Sequence, residues 1–175
     1  MSARESGAVA GVVLVAAILQ AALFSSLDLV GGTADVLLLV LIGIALPRGA
    51  VAGALAGFCG GMLIDVLTLD TLGVSALLYA LAGYWTGRYG ETTGRDRAHA
   101  PLLAVLVVTI LVAYAGFGLH FLLGDEVSAR RALFETLVPG LALNLIFAAP
   151  VFALCRAVLR RVSSSDRVTQ VRFSG

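Results

Sequence analysis

Six apolar runs separated by polar or glycine-rich breaks account for most of this chain. The first spans residues 7–27, with Gln20 as its one strongly polar member. The second, 33–46, has a continuously apolar part only from Val36 to Leu46. At 1.5 Å per residue that part covers only about half of a bilayer core. It must borrow residues from the preceding loop or lie shielded by its neighbours. Pro47-Arg48-Gly49 predicts a tight turn into the third run, 49–67. Leu69 to Gly73 leads into the fourth, 72–89, where Asp70 or Thr71 is the expected N-cap. The polar stretch from Arg88 to His99 predicts a loop. The fifth run, 101–123, opens on Pro101, at a helical position whose missing N–H costs nothing. Asp125 to Arg131 predicts another loop, and Ser128 to Val138 a short interfacial helix carrying Glu135. The sixth run, 139–159, precedes a basic tail over 160–175. The expectation is an all-α integral membrane protein, a single transmembrane domain of six spans.

Composition strengthens this. Hydrophobic residues make up 59% of the 175 and charged ones 13%, with mean hydropathy +1.00. A soluble domain of this size lacks the interior to bury so much apolar surface. Cys59 and Cys155 both lie in apolar runs, too few and too deep for a disulfide framework or a zinc site. Arg4 is followed by some twenty apolar residues, longer than the core of a signal peptide, which predicts an uncleaved first span.

Charge then orients the bundle. All 12 basic residues are arginine, which reads as compositional bias of the genome. With six spans, one face collects Arg4, Arg48, Arg88, Arg95, Arg97, Arg156 and the arginines of the tail, while the other has only Arg130 and Arg131. The arginine-rich face is predicted to be cytoplasmic, with both termini on it. Tyr84, Trp85 and Tyr89 then fall at the cytoplasmic end of the fourth span, where an aromatic belt is expected.

The third run carries the sharpest pattern. Gly49, Gly53, Gly57 and Gly61 recur every four residues, and Asp65 takes the next place. Such a series forms a groove that lets another helix backbone approach closely, either within the bundle or from a separate protein. Asp65 is expected near the outer end of its helix, where both the bilayer and the helix dipole disfavour an anion. That predicts a fixed partner: the N–H groups at the start of the fourth helix, around Thr71 to Gly73, or Arg130 or Arg131. A site for a partner or an ion is the other reading. Asn144 is expected to hydrogen-bond another helix, and Pro150 to kink the sixth. His120 has no second ligand in view and reads as an interfacial residue. The sequence has no paired catalytic aspartates, no His-Glu-x-x-His and no Ser/His constellation, so no catalytic, cofactor or metal site is expected.

Pro47-Arg48, Gly53, Gly57-Phe58, Gly61, Asp65, Thr71-Leu72-Gly73-Val74, Ala76-Leu77 and Tyr84 together resemble the central signature of MreD, the bacterial rod shape-determining membrane protein family. The resemblance covers about residues 34–87. Asn144, the apolar helix after it and the basic tail are more loosely similar to that family's carboxyl end. Where the family often carries Pro ahead of the second span, this chain reads Gly32-Thr33-Ala34-Asp35. The resemblance implies a non-enzymatic scaffold of the cell-elongation and peptidoglycan-synthesis machinery in the bacterial inner membrane. Its implied partner is MreC, a single-span protein, with RodA, its class B penicillin-binding protein and MreB beyond. The family also resembles the six-helix substrate-binding subunits of energy-coupling-factor importers. On that alternative, Asp28, Asp35 and Asp65 would line a vitamin pocket, although the outward loops offer few aromatic residues to stack on a ligand.

Overall fold

The computed structural model describes residues 3–26, 34–93, 100–123 and 137–171. They form six helices: α1 (Ala3–Ser26), α2 (Val36–Arg48), α3 (Ala50–Thr68), α4 (Val74–Thr93), α5 (Ala100–Leu122) and α6 (Leu137–Val171). In hydrocarbon every backbone N–H and C=O needs an internal partner, and a helix supplies these within itself. Four helices are long and apolar enough to cross a membrane, in α1, α3, α5 and α6. Helix α4 has the length, but Tyr84, Thr86, Arg88, Glu91 and two threonines make its last half polar. Helix α2 is apolar and has only 13 residues, about 20 Å of helix.

The short helix is the centre of the molecule. Leu37, Leu39, Leu41, Ile42, Ile44 and Ala45 are fully buried, and all five other helices pack around α2. Shielding by neighbours is therefore how this segment sits in the bundle. The outer helices turn large apolar side chains outward, among them Val15 and Ile18 of α1, Val51, Leu55 and Val66 of α3, and Val107 and Leu111 of α5. That apolar exterior suits a lipid environment.

Three boundaries differ from the sequence reading. Pro47 and Arg48 complete the last turn of α2, so Gly49 alone makes the turn, at φ +92°. Such a φ is open to glycine and strained for other residues. Helix α4 continues past Tyr89 to Thr93, so the loop expected from Arg88 begins later. The first part of the tail continues α6 as helix to Val171. The loop between α3 and α4 turns on Leu69, in the left-handed region at φ 55°. The expected interfacial helix over 128–138, with Glu135, Arg130 and Arg131, lies almost entirely outside the described residues.

Candidate functional site

The α3–α4 pair is the most intimate contact in the molecule. Gly53 and Gly57 of α3 lie against the backbone carbonyls of Gly83 and Tyr79, and Gly61 against Ser75 and Ala76. Gly83 and Gly87 of α4 lie in turn against Gly53 and Gly49. A Cβ at any of these positions would fall inside a backbone atom of the facing helix. Lipid tails are as apolar as leucine, so helices in a bilayer associate through van der Waals contact, and small residues allow the closest approach. The groove of Gly49, Gly53, Gly57 and Gly61 is filled by α4 of the same chain. Gly60, on the adjoining face, receives Val13 of α1 and Leu37 of α2.

Each end of this seam carries a carboxylate. Asp65 is buried and accepts hydrogen bonds from the backbone N–H groups of Gly73 (2.7 Å), Ser75 (3.2 Å) and Ala76 (3.4 Å). At the opposite end Glu91, in the last turn of α4, accepts from the Ala50 N–H at 2.9 Å. Both acids sit at the C-terminal end of their own helix, where the dipole disfavours them, and at the N-terminal end of the neighbour, where it favours them. Thr71 is not among the Asp65 donors: its N–H is held by Asp70 at 2.7 Å. The cap of α4 is thus Asp65, eight residues upstream of its first donor, and neither Asp70 nor Thr71.

Sequence reasoning missed Glu91, and a signal for it existed. Gly57, Gly61 and Asp65 are spaced by four, and so are Gly83, Gly87 and Glu91. Two antiparallel helices with the same Gly-x-x-x-Gly-x-x-x-acid pattern bring each acid over the other's first turn. The structure shows this pseudo-twofold arrangement: the contact of Gly57 with Tyr79 mirrors that of Gly83 with Gly53, and Asp65 with Ala76 mirrors Glu91 with Ala50.

A second constellation surrounds the start of α2. The first N–H groups of a helix have no partner within it, and a half-length helix among longer ones can find them on its neighbours. Asn144 lies seven residues into α6, about 10 Å along it. Its Oδ1 accepts from the Asp35 N–H at 2.7 Å. Gln20 Oε1 of α1 accepts from the Val36 N–H at 2.7 Å. Asp35 caps its own helix, its Oδ1 accepting from the Leu38 N–H at 2.9 Å. Its other oxygen accepts from the Tyr79 hydroxyl of α4 at 2.8 Å, and Asn144 Nδ2 donates to Thr109 Oγ1 of α5 at 3.2 Å. Side chains from four helices thus converge on the start of α2. Of this group, Asn144 and Gln20 stood out in the sequence, whereas Asp35, Tyr79 and Thr109 were not joined to them.

The remaining expected residues lie apart. Pro47 and Arg48 end α2, and Pro150 lies within α6 on an exposed face. Asp28 lies outside the described residues. Among the described residues no group of three or more His, Cys, Asp or Glu side chains could hold a metal. A shallow apolar groove of about 150 Å³ runs between α4 and α5, lined by Leu78, Leu81, Trp85, Val108, Leu111 and Ala115.

Five helices wrapped about a buried half-length one, four of them fit to span a bilayer, define a polytopic helical membrane protein. The family model described as "rod shape-determining protein MreD" matches residues 7–158, and the chain belongs to that family. The match takes in both the glycine seam and the polar cluster, and it assigns a role in rod shape determination. No curated protein and no solved structure matches the chain.

Proposed function

We propose that the protein is a non-enzymatic membrane scaffold of the cell-elongation machinery that binds MreC. RodA, its class B penicillin-binding protein and MreB belong to the same assembly. The observation that supports a scaffold is where the buried polar groups are directed. Gln20, Asp35, Asp65 and Asn144 each accept from a backbone N–H at a helix start, three of them on a different helix, and Asp35 on its own. These groups build a rigid frame and present no reactive centre to a substrate. The importer alternative asks Asp35 and Asp65 to face a ligand, and both carboxylates already hold helix starts.

The arginine distribution supports a place in the bacterial inner membrane with both termini in the cytoplasm. Reporter fusions after Gly94 and after Gly175 should both read as cytoplasmic, and an exported reporter at either point contradicts this topology. For the function, the tagged full-length chain should recover MreC from solubilised membranes, and its depletion should convert rods to spheres. Normal rods after depletion, or a chain that recovers no MreC, would remove the proposal.

A further inference from the structure

Arg48 is the one described residue with a buried side-chain nitrogen lacking any hydrogen-bond partner: its Nη1 is sealed from solvent and finds no acceptor. The residue as a whole is half-buried, and a guanidinium that keeps its charge, with one of its five donors sealed in and no anion beside it, calls for one at its open edge. The carboxylate that the structure places at this turn is already engaged. Glu91 Oε1 holds the Ala50 N–H at 2.9 Å, and Oε2 lies 3.6 Å from Arg88 Nη1.

The surroundings point to what the anion is. Arg48 ends α2, and the chain reverses through Gly49 alone into α3, so Arg48 adjoins the helix end where the α3 dipole is positive. Gly83 abuts Gly53 and Gly87 abuts Gly49, which puts Trp85 level with this turn. Trp85 is 60% exposed and Tyr84 41%, and their rings meet edge to face with centroids 5.7 Å apart. The pair stands where the apolar half of α4 gives way to its polar half, and an outward aromatic pair at such a boundary marks the headgroup level of a bilayer. Arg88, 59% exposed, adds a second cation at the same end.

We propose that Arg48 binds a phosphate oxygen of an anionic phospholipid headgroup at the α2–α3 turn. The planar fork of the guanidinium matches two phosphate oxygens. Arg88 contributes long-range attraction only, because Glu91 already neutralises it in part. The site needs this turn to lie at a bilayer surface, whichever side that is, and does not depend on MreC binding.

The test uses the full-length chain in detergent, with thermal melting and native mass spectrometry during titration with phosphatidylglycerol, phosphatidylcholine or inorganic phosphate. Phosphatidylglycerol should raise the melting temperature and remain bound where phosphatidylcholine does not. Arg48→Gln should weaken that response at least about fivefold, the usual worth of one basic residue near an anionic surface. Arg48→Lys should keep part of it, and Arg88→Gln should lose less than Arg48→Gln. An Arg48-dependent shift from inorganic phosphate as large as that from lipid would support the phosphate site while making its source a free anion. Equal responses of wild type and Arg48→Gln would overturn the proposal, and so would equal retention of the two lipids by wild type if Arg48→Gln fails to fold. A wild-type chain indifferent to lipid and phosphate, whose Arg48 becomes protected only on adding a protein with an acidic segment, would also overturn it.

Discussion

The α3–α4 seam and the start of α2 solve the same problem by opposite means. At the seam, side chains have been removed: glycines on both helices let backbone touch backbone, and only the two ends carry polar groups. At the start of α2, side chains have been added: Gln20, Asp35, Tyr79, Thr109 and Asn144 form a hydrogen-bonded cluster around the first turn of the half-length helix. The seam depends on shape, so it should tolerate no added volume and care little about charge. The α2 cluster depends on hydrogen-bond satisfaction, so it should tolerate isosteric change poorly when an acceptor is lost.

The largest expected effect is at the seam. Gly57→Leu drives a side chain into the Tyr79 carbonyl and should lower stability by about 3 kcal/mol or more, since the facing atoms are backbone. Gly57→Ala should cost about 1–3 kcal/mol. Gly118, with nothing within 4 Å of its Cβ position, is the control. Gly118→Ala should be neutral, or stabilising by up to about 1 kcal/mol through helix propensity. Thermal melts of the three variants in one detergent make the comparison, and equal effects of the two alanines would deny the close approach.

Next comes the α2 cluster. Asn144→Leu keeps the branched outline and leaves the Asp35 N–H and the Thr109 hydroxyl without their partner. It should cost about 1–3 kcal/mol for a donor left dry, while Thr109→Val, which leaves the Asp35 N–H its acceptor, should cost less. If leucine were the milder change in melting experiments, hydrogen bonding would not be what holds α2.

The two seam carboxylates should differ from each other. Asp65 is buried and takes three N–H groups. Asp65→Leu should lower stability by about 1–3 kcal/mol, and Asp65→Asn by less. The Glu91 side chain is 38% exposed and holds one N–H. Glu91→Ala should cost about 1 kcal/mol, in the range of a lost helix cap. Equal losses at the two sites would mean that burial does not set the strength of these caps.

Much of the seam could be read from the chain itself. A glycine every four residues has one consequence on a helix, and an acid continuing the series at a helix end points to the next helix start. The matching series in α4 went unread because Arg88 and Glu91 look like loop residues when the helix is ended at Tyr89. The α2 cluster is a different case. Its length deficit was visible in the run from Val36 to Leu46, and so was the need for shielding. Which groups would close the gap was not, since Asp35 and Asn144 lie 109 residues apart and no local pattern links Tyr79 to either. The family resemblance rested on residues 34–87, and the family match extends over 7–158.

Site-resolved amide exchange, by NMR or mass spectrometry with fragmentation, tests the central claim most directly: side chains from neighbouring helices seal the helix starts inside this bundle. The amides of Asp35, Val36 and Leu38, and those of Gly73, Ser75 and Ala76, should exchange as slowly as amides in the middle of α3. Asn144→Leu should release the first of these and leave the Asp65-held group slow, and Asp65→Leu should do the reverse. Exchange of these six amides in the wild-type protein at the rate of an open loop would contradict the account.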